Sequence, residues 1–281
     1  MIGRILVGLD GSKASKVAAE YGINLSKHLK RPVVGINIID IRMFEGPFMA
    51  DIAGGLGFTT FGDFTVKLRE ILDQKSQLIL DDFTKDCREK GGDCTVAQAY
   101  GVPDYEIVQM ADPEDIILIG KKGEHGEIIK TLLGSTAERI ARKSNCPVMI
   151  VPTSGYRPIN NVLVCFDGRE KSVHSLDYAK HLQEKLGFRI KVISVFEDRA
   201  KDESKVVEFK KRIKNILNGE AEFVDKYGLA EEQIEKFLKE SPDIDLVILG
   251  AYRDSYVKEI ILGSTTSYIT AVSPVAVLLV K

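Results

Sequence analysis

The sequence repeats itself, and this internal duplication limits the possible folds more than any other feature of the chain. An apolar run that ends in Asp-Gly opens each copy, at residues 5–11 and again at 162–168. A second apolar run ends in glycine and leads to a Gly-Ser-Thr triplet, at residues 134–136 and 263–265. The chain is therefore expected to fold as two copies of one domain.

The two copies differ in length but keep both of their ends. Asp10 and Asp167 are 157 residues apart, whereas Ser135 and Ser264 are only 129 apart, so the second copy is 28 residues shorter in its middle. A stretch of turn formers between Pro152 and Pro158 separates the copies and lacks any periodicity. We place the domains at residues 1–152 (the first half) and 157–281 (the second half), and expect a site assembled from both ends of each.

Composition excludes several classes of protein. With 44% hydrophobic and 28% charged residues, the 281-residue chain is typical of a soluble globular protein, and its apolar runs are far shorter than the ~20 residues of a membrane span. The start of the sequence has no charged leader followed by an apolar stretch, which favours a cytoplasmic location. A net charge of -2 with interspersed signs argues against a nucleic-acid partner.

The four cysteines and four histidines do not indicate a redox or metal site. No Cys-x-x-Cys spacing occurs, so we interpret the cysteines as structural thiols. No two histidines are spaced as metal ligands, and no metal site is expected. These residues are Cys87, Cys94, Cys146, Cys165, His28, His125, His174 and His181.

Strand and helix patterns alternate along both copies. Near-continuous Val, Ile and Leu runs are typical of parallel strands covered on both faces, and amphipathic helical stretches lie between them. The fold class predicted is α/β, with two tandem, open, Rossmann-like parallel sheets of five strands each and helices on both faces. The strands are expected at 4–9, 33–39, 94–99, 115–119 and 147–151, and at 161–166, 190–195, 221–224, 245–249 and 275–280. The helices are expected at 14–29, 64–90, 103–111 and 135–144, and at 171–186, 202–217, 230–240 and 264–272.

One segment breaks the pattern. Residues 42–63 contain five glycines and four phenylalanines, which is unusual for a connection inside a compact domain. Three interpretations stay open: a flap packed on its own domain or on a partner subunit, a lid over a ligand, or a mobile loop.

Polar residues follow the first and fourth strands of each copy. Asp10 and Asp167 leave the first strands, and Gly120 and Gly250 leave the fourth strands. In open α/β sheets ligands bind beyond the carboxyl ends of the strands, so these residues are expected at one ligand-binding edge. The alternative is that each aspartate only shapes a turn at the start of a helix.

The loop after the fourth strand has the composition of a phosphate site. Lys121 and Lys122 stand beside Gly123, and the next helix begins at the Gly-Ser-Thr triplet. Glycines allow the backbone to approach a phosphate closely, and a helix start favours an anion. Ser135 and Thr136 would add hydroxyl donors, and Lys122 a positive charge. The alternative is an ordinary loop with a Ser or Thr helix cap.

Taken together, these motifs resemble the universal stress protein family, over both halves of the chain. The resemblance rests on Asp10-Gly11-Ser12, the second strand ending at residues 36–40, the glycines after the fourth strand and the Gly-Ser-Thr triplet. It implies a parallel sheet of strand order 3-2-1-4-5 and a Gly-x2-Gly-x9-Gly-Ser/Thr nucleotide motif. It also implies that Asp10 and the backbone around Ile38 meet adenine and ribose, while glycines and Ser135 hold the phosphates.

Each half departs from the family motif at one place. Ten residues rather than nine separate Gly123 from Gly134, and Arg253 replaces the second glycine in the second half. An arginine there would either contact phosphate or fill its space. The second half also has Arg169 where the first has Ser12. The nucleotide-binding residues predicted are Asp10, Gly11, Ser12, Ile38, Gly120, Lys122, Gly123, Gly134, Ser135 and Thr136 in the first half, and Asp167, Val195, Gly250, Arg253, Gly263, Ser264 and Thr265 in the second.

No catalytic motif accompanies these residues. The sequence has neither a Gly-x-Ser-x-Gly elbow nor a Walker loop. The resemblance implies a cytosolic stress-response sensor or switch that binds ATP, ADP or AMP, with or without Mg²⁺, and the lack of a catalytic motif predicts that any ATP hydrolysis is slow or absent. The alternative is a tandem scaffold that acts through protein contacts.

The last strand of each half would be an exposed apolar edge unless it were paired. The family's subunits pair through this strand, so the resemblance implies an internal pseudo-dimer of the two halves. A homodimer of the whole chain through residues 42–63 is a further expectation.

Overall fold

A computed structural model describes residues 2–44, 61–123, 133–198, 202–218, 221–251 and 262–281. The first half contains β1 (Ile5–Gly8), α1 (Lys13–Leu29), β2 (Val33–Asp40), a 3-10 turn (Ile41–Phe44), α2 (Phe61–Glu89), β3 (Cys94–Gly101), α3 (Pro103–Gln109), β4 (Ile116–Gly120), α4 (Ser135–Lys143) and β5 (Val148–Val151). The second half contains β6 (Asn161–Cys165), α5 (Glu170–Leu186), β7 (Arg189–Phe196), α6 (Glu203–Ile216), β8 (Glu222–Tyr227), α7 (Ala230–Glu240), β9 (Leu246–Gly250), α8 (Ser264–Val272) and β10 (Ala276–Val280).

The strands form one continuous sheet in the order β3-β2-β1-β4-β5-β10-β9-β6-β7-β8. Within each half the pairing is parallel and follows the order 3-2-1-4-5, as the resemblance implied. The two five-stranded sheets are not separate, because β5 and β10 pair antiparallel, with Met149 opposite Leu278. The chain thus joins its own halves through their last strands, and neither strand is left as an edge.

The central strands form because their side chains are apolar on both faces. Every residue of β5 and β10 is buried, and β1, β4 and β9 are buried except at their final glycines. The outer strands β3 and β8 extend two or three residues beyond their predicted ends, and their residues are mostly half-exposed or exposed. An outer strand is less buried than a central one, so its sequence is more polar and predicts the ends of the strand less well.

In each half, a glycine with a left-handed backbone conformation forms the turn between the first strand and the helix that follows it. Gly11 and Gly168 have φ angles of 83° and 79°, a conformation in which a Cβ would be strained. Ser12 then caps α1, its hydroxyl oxygen accepting a hydrogen bond from Ser15 N at 3.1 Å. The turn and the cap fix where α1 begins relative to the end of β1.

The linker packs against the first half instead of hanging free. The Tyr21 hydroxyl accepts a hydrogen bond from Arg157 N at 3.3 Å, and the Tyr21 and Tyr156 rings pack edge to face with centroids 4.8 Å apart. Arg157 also donates to the carbonyl of Pro242 at 3.0 Å. These contacts attach the linker to both halves.

All four cysteines are free thiols. This agrees with their interpretation as structural residues. Cys87 and Cys146 are buried, and burial raises the pKa of Cys87 and of Cys165 to about 12. Such thiols remain protonated at neutral pH and are poor nucleophiles.

Three further sequence expectations concern membrane spans, metal sites and residues 42–63. In the described ranges of the chain no helix combines the length and the apolarity needed to cross a bilayer, and no three metal-binding side chains of His, Cys, Asp or Glu cluster together. Most of segment 42–63, namely residues 45–60, lies outside the described residues, as do His125 and Arg253. The predictions for that segment, including the homodimer contact, therefore stay predictions.

Candidate functional site

A crevice of about 580 Å³ opens at the carboxyl ends of β1, β2 and β4 in the first half. Strand order reverses between β1 and β4, which is where open α/β sheets bind ligands. Nine of the ten residues predicted in the first half line it, and Gly11 lies in the adjoining turn. The lining residues are Asp10, Ser12, Ile38, Gly120, Lys122, Gly123, Gly134, Ser135 and Thr136.

Asp10 lies between the turn after β1 and the loop after β4, which come from opposite ends of the first half's sequence. Its Oδ1 accepts a hydrogen bond from Ser12 N at 2.9 Å, which closes the turn after β1. Its Oδ2 faces the loop after β4, since a Cβ added to Gly123 would lie 2.7 Å from this oxygen. Glycine at position 123 therefore allows the loop to approach the carboxylate closely.

The start of α4 forms the second wall of the crevice. Gly134 N donates to the carbonyl of Lys121 at 2.9 Å and so joins the helix start to the end of β4. Gly134 is the helix cap and has no side chain to bond the first-turn N–H groups. With Ser135, Thr136 and Lys122 also lining the crevice, this wall combines a helix start, two hydroxyls and a cation, a combination that favours an anion.

Gly120 has a packing role that its predicted phosphate contact did not include. A Cβ there would lie 2.6 Å from Ala14 Cβ, so the glycine lets α1 lie directly on the end of β4. Gly250 is equivalent in the second half, where a Cβ would lie 2.8 Å from backbone atoms of Lys171. Helix packing explains both glycines, although Gly120 also lines the crevice.

The opposite end of the crevice lies at β2 and includes residues that the sequence did not reveal. Asn37 Nδ2 donates to the carbonyl of Leu9 at 2.6 Å, holding the ends of β2 and β1 together beside Ile38. Asp40 accepts hydrogen bonds from Arg42, which hold the pKa of this carboxyl below its usual range. One face of α2 closes this end with Leu72, Lys75, Ser76 and Ile79. Their spacing of three and four residues is the only sequence signal that could have indicated them.

A buried ion-pair network fixes α4 against α3. The side chain of Asp104 is 1% exposed and accepts hydrogen bonds from Arg139 Nε at 2.9 Å and Lys143 Nζ at 2.8 Å. Burial alone would raise the pKa of Asp104, but the bonds from Lys143 and Arg139 outweigh it and lower the pKa. This network orients the helix whose first turn faces the crevice.

The second half keeps the same turn but fills the space beside it. Arg169 N donates to Asp167 Oδ1 at 3.0 Å, as Ser12 N does to Asp10. A Cβ on Gly168, however, would lie 2.4 Å from the Phe209 ring of α6. That ring packs edge to face on Phe166, with centroids 5.1 Å apart. A cluster of aromatic side chains thus lies against the turn of the second half.

The helix start of the second half already has an acidic partner. Glu231 Oε1 accepts hydrogen bonds from Ser264 Oγ at 3.0 Å and from Thr265 Oγ1 at 2.9 Å. Its own backbone N–H, and then the Thr265 hydroxyl, lower the pKa of Glu231. The hydroxyls predicted to hold a phosphate are thus engaged by a carboxylate of the same chain. Of the other residues predicted there, Gly263 caps α8 and Val195 lies half-buried in β7.

Comparison with known proteins agrees with the fold. The model of the universal stress protein family matches the chain twice, at residues 1–152 and 158–281. A universal stress protein of Methanocaldococcus jannaschii is 31% identical over 150 residues, which cover 53% of this chain and 81% of the relative. A universal stress protein of Synechocystis is 23% identical over 296 residues and covers 98% of both chains. The crystal structure of a universal stress protein from Archaeoglobus fulgidus superimposes with a TM-score of 0.76 at 22% identity, covering 99% of this chain and 98% of that one. The chain therefore belongs to the universal stress protein family, and it carries two copies of the family's domain.

Proposed function

We propose that this chain is a cytosolic stress-response protein that binds an adenine nucleotide, ATP, ADP or AMP, in the crevice of its first half. The observation that carries the proposal is the convergence of Asp10, Gly123 and the start of α4, whose cap residue Gly134 has no side chain, around one crevice. Its volume of about 580 Å³ is typical of a small-molecule site.

The two ends of the crevice differ in the way that the two ends of a nucleotide differ. The end at β4 and α4 supplies N–H groups, hydroxyls and Lys122, which suit phosphate oxygens. The end at β2 and α2 supplies apolar surface from Ile38 and Ile79, which suits a planar base. β2 and β4 are separated only by β1, so the two ends are roughly 10 Å apart.

A carboxylate between these ends would orient the ligand. Asp10 lies at the end of β1, midway between the apolar end and the helix start, and a carboxylate accepts hydrogen bonds from ribose hydroxyls. Its position is fixed by the turn bond to Ser12 N. We assign it to the sugar and the adjacent edge of the base.

The role we assign to the bound nucleotide is that of a signal rather than a substrate. The crevice adjoins the junction between halves, because Lys121 both holds Gly134 through its carbonyl and donates its Nζ to the carbonyl of Ser273 at 3.2 Å. A ligand bound at the phosphate end would therefore change the contact of Lys121 with Ser273 in the second half. Hydrolysis of the nucleotide would need a positioned general base and a positioned water, and we assign no residue to either role.

Isothermal titration calorimetry with ATP, ADP and AMP, with and without Mg²⁺, tests the proposal. We expect one molecule of nucleotide per chain, and loss of binding in Asp10→Ala. The matched control is Asp167→Ala, which removes the equivalent carboxylate of the second half and should leave affinity unchanged. No heat and no retained nucleotide at millimolar concentration would overturn the proposal.

The second candidate function is a scaffold that acts through protein contacts. What favours it is the second half, where Phe209 packs against Gly168 and Glu231 engages Ser264 and Thr265. A chain in which both halves failed to bind nucleotide in the titration would fit this function. Binding of one nucleotide would assign the sensing role to the first half and leave the contact role to the second.

A further inference from the structure

Ser76 on α2 has a buried hydroxyl with no hydrogen-bond partner. The residue is 1% exposed, and its Oγ meets no donor or acceptor in the part of the chain that the structure describes. Ser76 also lines the crevice. An unpaired polar atom inside a protein is unfavourable, and such atoms are commonly completed by water or by a ligand.

The helix does not satisfy this hydroxyl in the usual way. A serine or threonine inside a helix commonly bonds to the carbonyl four residues earlier. Thr84, two turns further along α2, does so by donating to Leu80 O at 2.8 Å. Ser76 makes no such bond, although Leu72 lies four residues before it on the same helix. The hydroxyl therefore keeps its full hydrogen-bonding capacity, at a residue that lines the crevice.

The position of Ser76 indicates which part of a ligand it would meet. Ile79 lies against the turn after β1, since its Cδ1 is 3.1 Å from where a Cβ of Gly11 would be. Ser76 comes about one helical turn earlier on the same face, and Leu72 one turn earlier again. Because α2 packs on β2 and β3, and β4 lies on the other side of β1, this stripe belongs to the end of the crevice at β2 and not to the end at β4.

We propose that Ser76 is a base-recognition residue, whose Oγ forms a hydrogen bond with a polar edge atom of the nucleobase. The inference rests on the proposed function, because it assumes that a nucleotide lies with its base at the apolar end. A hydroxyl is both donor and acceptor, so it can pair with a ring nitrogen or with an exocyclic amino group. Leu72, Ile79 and Ile38 offer no side-chain hydrogen bond, so this bond would add selectivity for the base beside any made by Asp40 or Lys75 at the same end.

Binding measurements on Ser76→Ala test the proposal. We expect the variant to bind ATP about tenfold more weakly than the wild type, the usual effect of losing one hydrogen bond to a bound ligand. The melting temperature of the ligand-free protein should stay unchanged or rise slightly, because the substitution removes an unpaired polar atom. A purely structural role would instead lower the melting temperature of the ligand-free protein.

Analogues of ATP then identify the bonded atom. Adenine has four polar edge groups, N1, N3, N7 and the 6-amino group, and each is absent from one analogue: the 1-deaza, 3-deaza and 7-deaza forms and purine riboside triphosphate. We expect one of the four to bind equally well to the wild type and to Ser76→Ala. If Ser76→Ala weakens all four analogues as much as ATP, or binds ATP within twofold of the wild type, the inference is overturned.

Two controls separate this outcome from others. Thr84→Val removes a hydroxyl from the same helix that already bonds to Leu80 O and does not line the crevice, so it should leave ATP affinity unchanged. If the wild type itself binds no nucleotide, the proposed function fails and the inference fails with it. If the wild type binds and Ser76→Ala does not differ from it, only the role of Ser76 is lost.

Discussion

Gly123 lies so close to Asp10 that a Cβ added to the glycine would be 2.7 Å from Asp10 Oδ2. The carboxylate cannot simply turn aside, because its Oδ1 accepts the Ser12 N–H that closes the turn after β1. Any side chain at position 123 must therefore displace either the loop or the carboxylate. This contact joins the beginning of the first half to the loop after its fourth strand.

Gly123→Ala should weaken ATP binding at least tenfold with little loss of stability. The loop is at the surface, so the added methyl disturbs the site more than the core, and we expect a stability change of about 1 kcal/mol or less. Titration calorimetry and thermal melts measure the two effects. Gly263→Ala is the matched control, since no atom of the described residues lies within 4 Å of a Cβ there. Equal affinity of Gly123→Ala and wild type would contradict the assigned role of the Asp10 contact.

The sequence predicted the crevice because its parts follow from strand order. Asp10, Ile38 and Gly120 each come at or near the end of a strand, and parallel strands place those ends along one edge of the sheet. The loop and helix that follow Gly120 must then lie near Asp10. Repetition of the motif in the second half made this interpretation stronger than any single glycine could.

The parts that the sequence did not predict depend on how helices rotate and how far side chains reach. Which face of α2 turns toward the crevice depends on its packing against β2 and β3, so Ser76 could not be distinguished from its neighbours. Phe209 and Glu231 reach the second site from α6 and α7, and Glu231 is more than 30 residues from Ser264. No local pattern predicts that the hydroxyls at a helix start will be engaged by a carboxylate from so far away.

Asp104→Asn should destabilise the first half and should weaken nucleotide binding indirectly. The carboxylate is buried and pairs with Arg139 and Lys143, both about one-third exposed, so we expect a loss of about 2 kcal/mol at pH 7. Glu138→Gln is the control, because it removes only an exposed pair with Arg142 within α4 and should cost about 0.5 kcal/mol or less. Urea unfolding measures the loss of stability in both variants, and titration with ATP measures the loss of nucleotide binding.

The pH dependence of this loss follows from the lowered pKa of Asp104. A carboxyl whose pKa is lower in the folded state stabilises the fold above its unfolded pKa of about 4, and the contribution disappears as the pH falls through the folded value. The difference in unfolding free energy between wild type and Asp104→Asn should therefore be constant above about pH 5 and shrink below pH 4. A difference that did not change with pH would show that packing, and not charge, is responsible.

Lys121→Met should change how stability depends on pH in the alkaline range. Burial lowers the pKa of Lys121 to about 8, from a usual value of 10.5. Between these values the unfolded chain holds a proton that the folded chain has released, so wild-type stability gains a contribution that increases with pH. Thermal melts from pH 7 to 10.5 should show this gain in the wild type and not in Lys121→Met. Lys122→Met removes the smaller cause of the lowered pKa, the repulsion from the neighbouring cation, and should keep most of the gain because burial is the larger cause.

Glu231→Ala should expose an anion site in the second half. Glu231 accepts hydrogen bonds from the hydroxyls of Ser264 and Thr265, so its removal takes this partner and a negative charge away from the start of α8 and should cost about 1 kcal/mol. The helix start would then be open to an external anion. Inorganic phosphate should raise the melting temperature of Glu231→Ala more than that of the wild type, and the affinity of the first half for ATP should not change.

Glu232→Ala is the matched control, because Glu232 is the exposed neighbour on α7. It should lose little stability and should respond to phosphate like the wild type. If phosphate protects wild type and Glu231→Ala equally, the carboxylate does not occupy the place of an anion. A greater effect in Glu231→Ala alone would mean that the second half keeps the family's Gly-Ser-Thr helix start but engages its hydroxyls with its own glutamate, which explains why two copies of one domain need not bind two nucleotides.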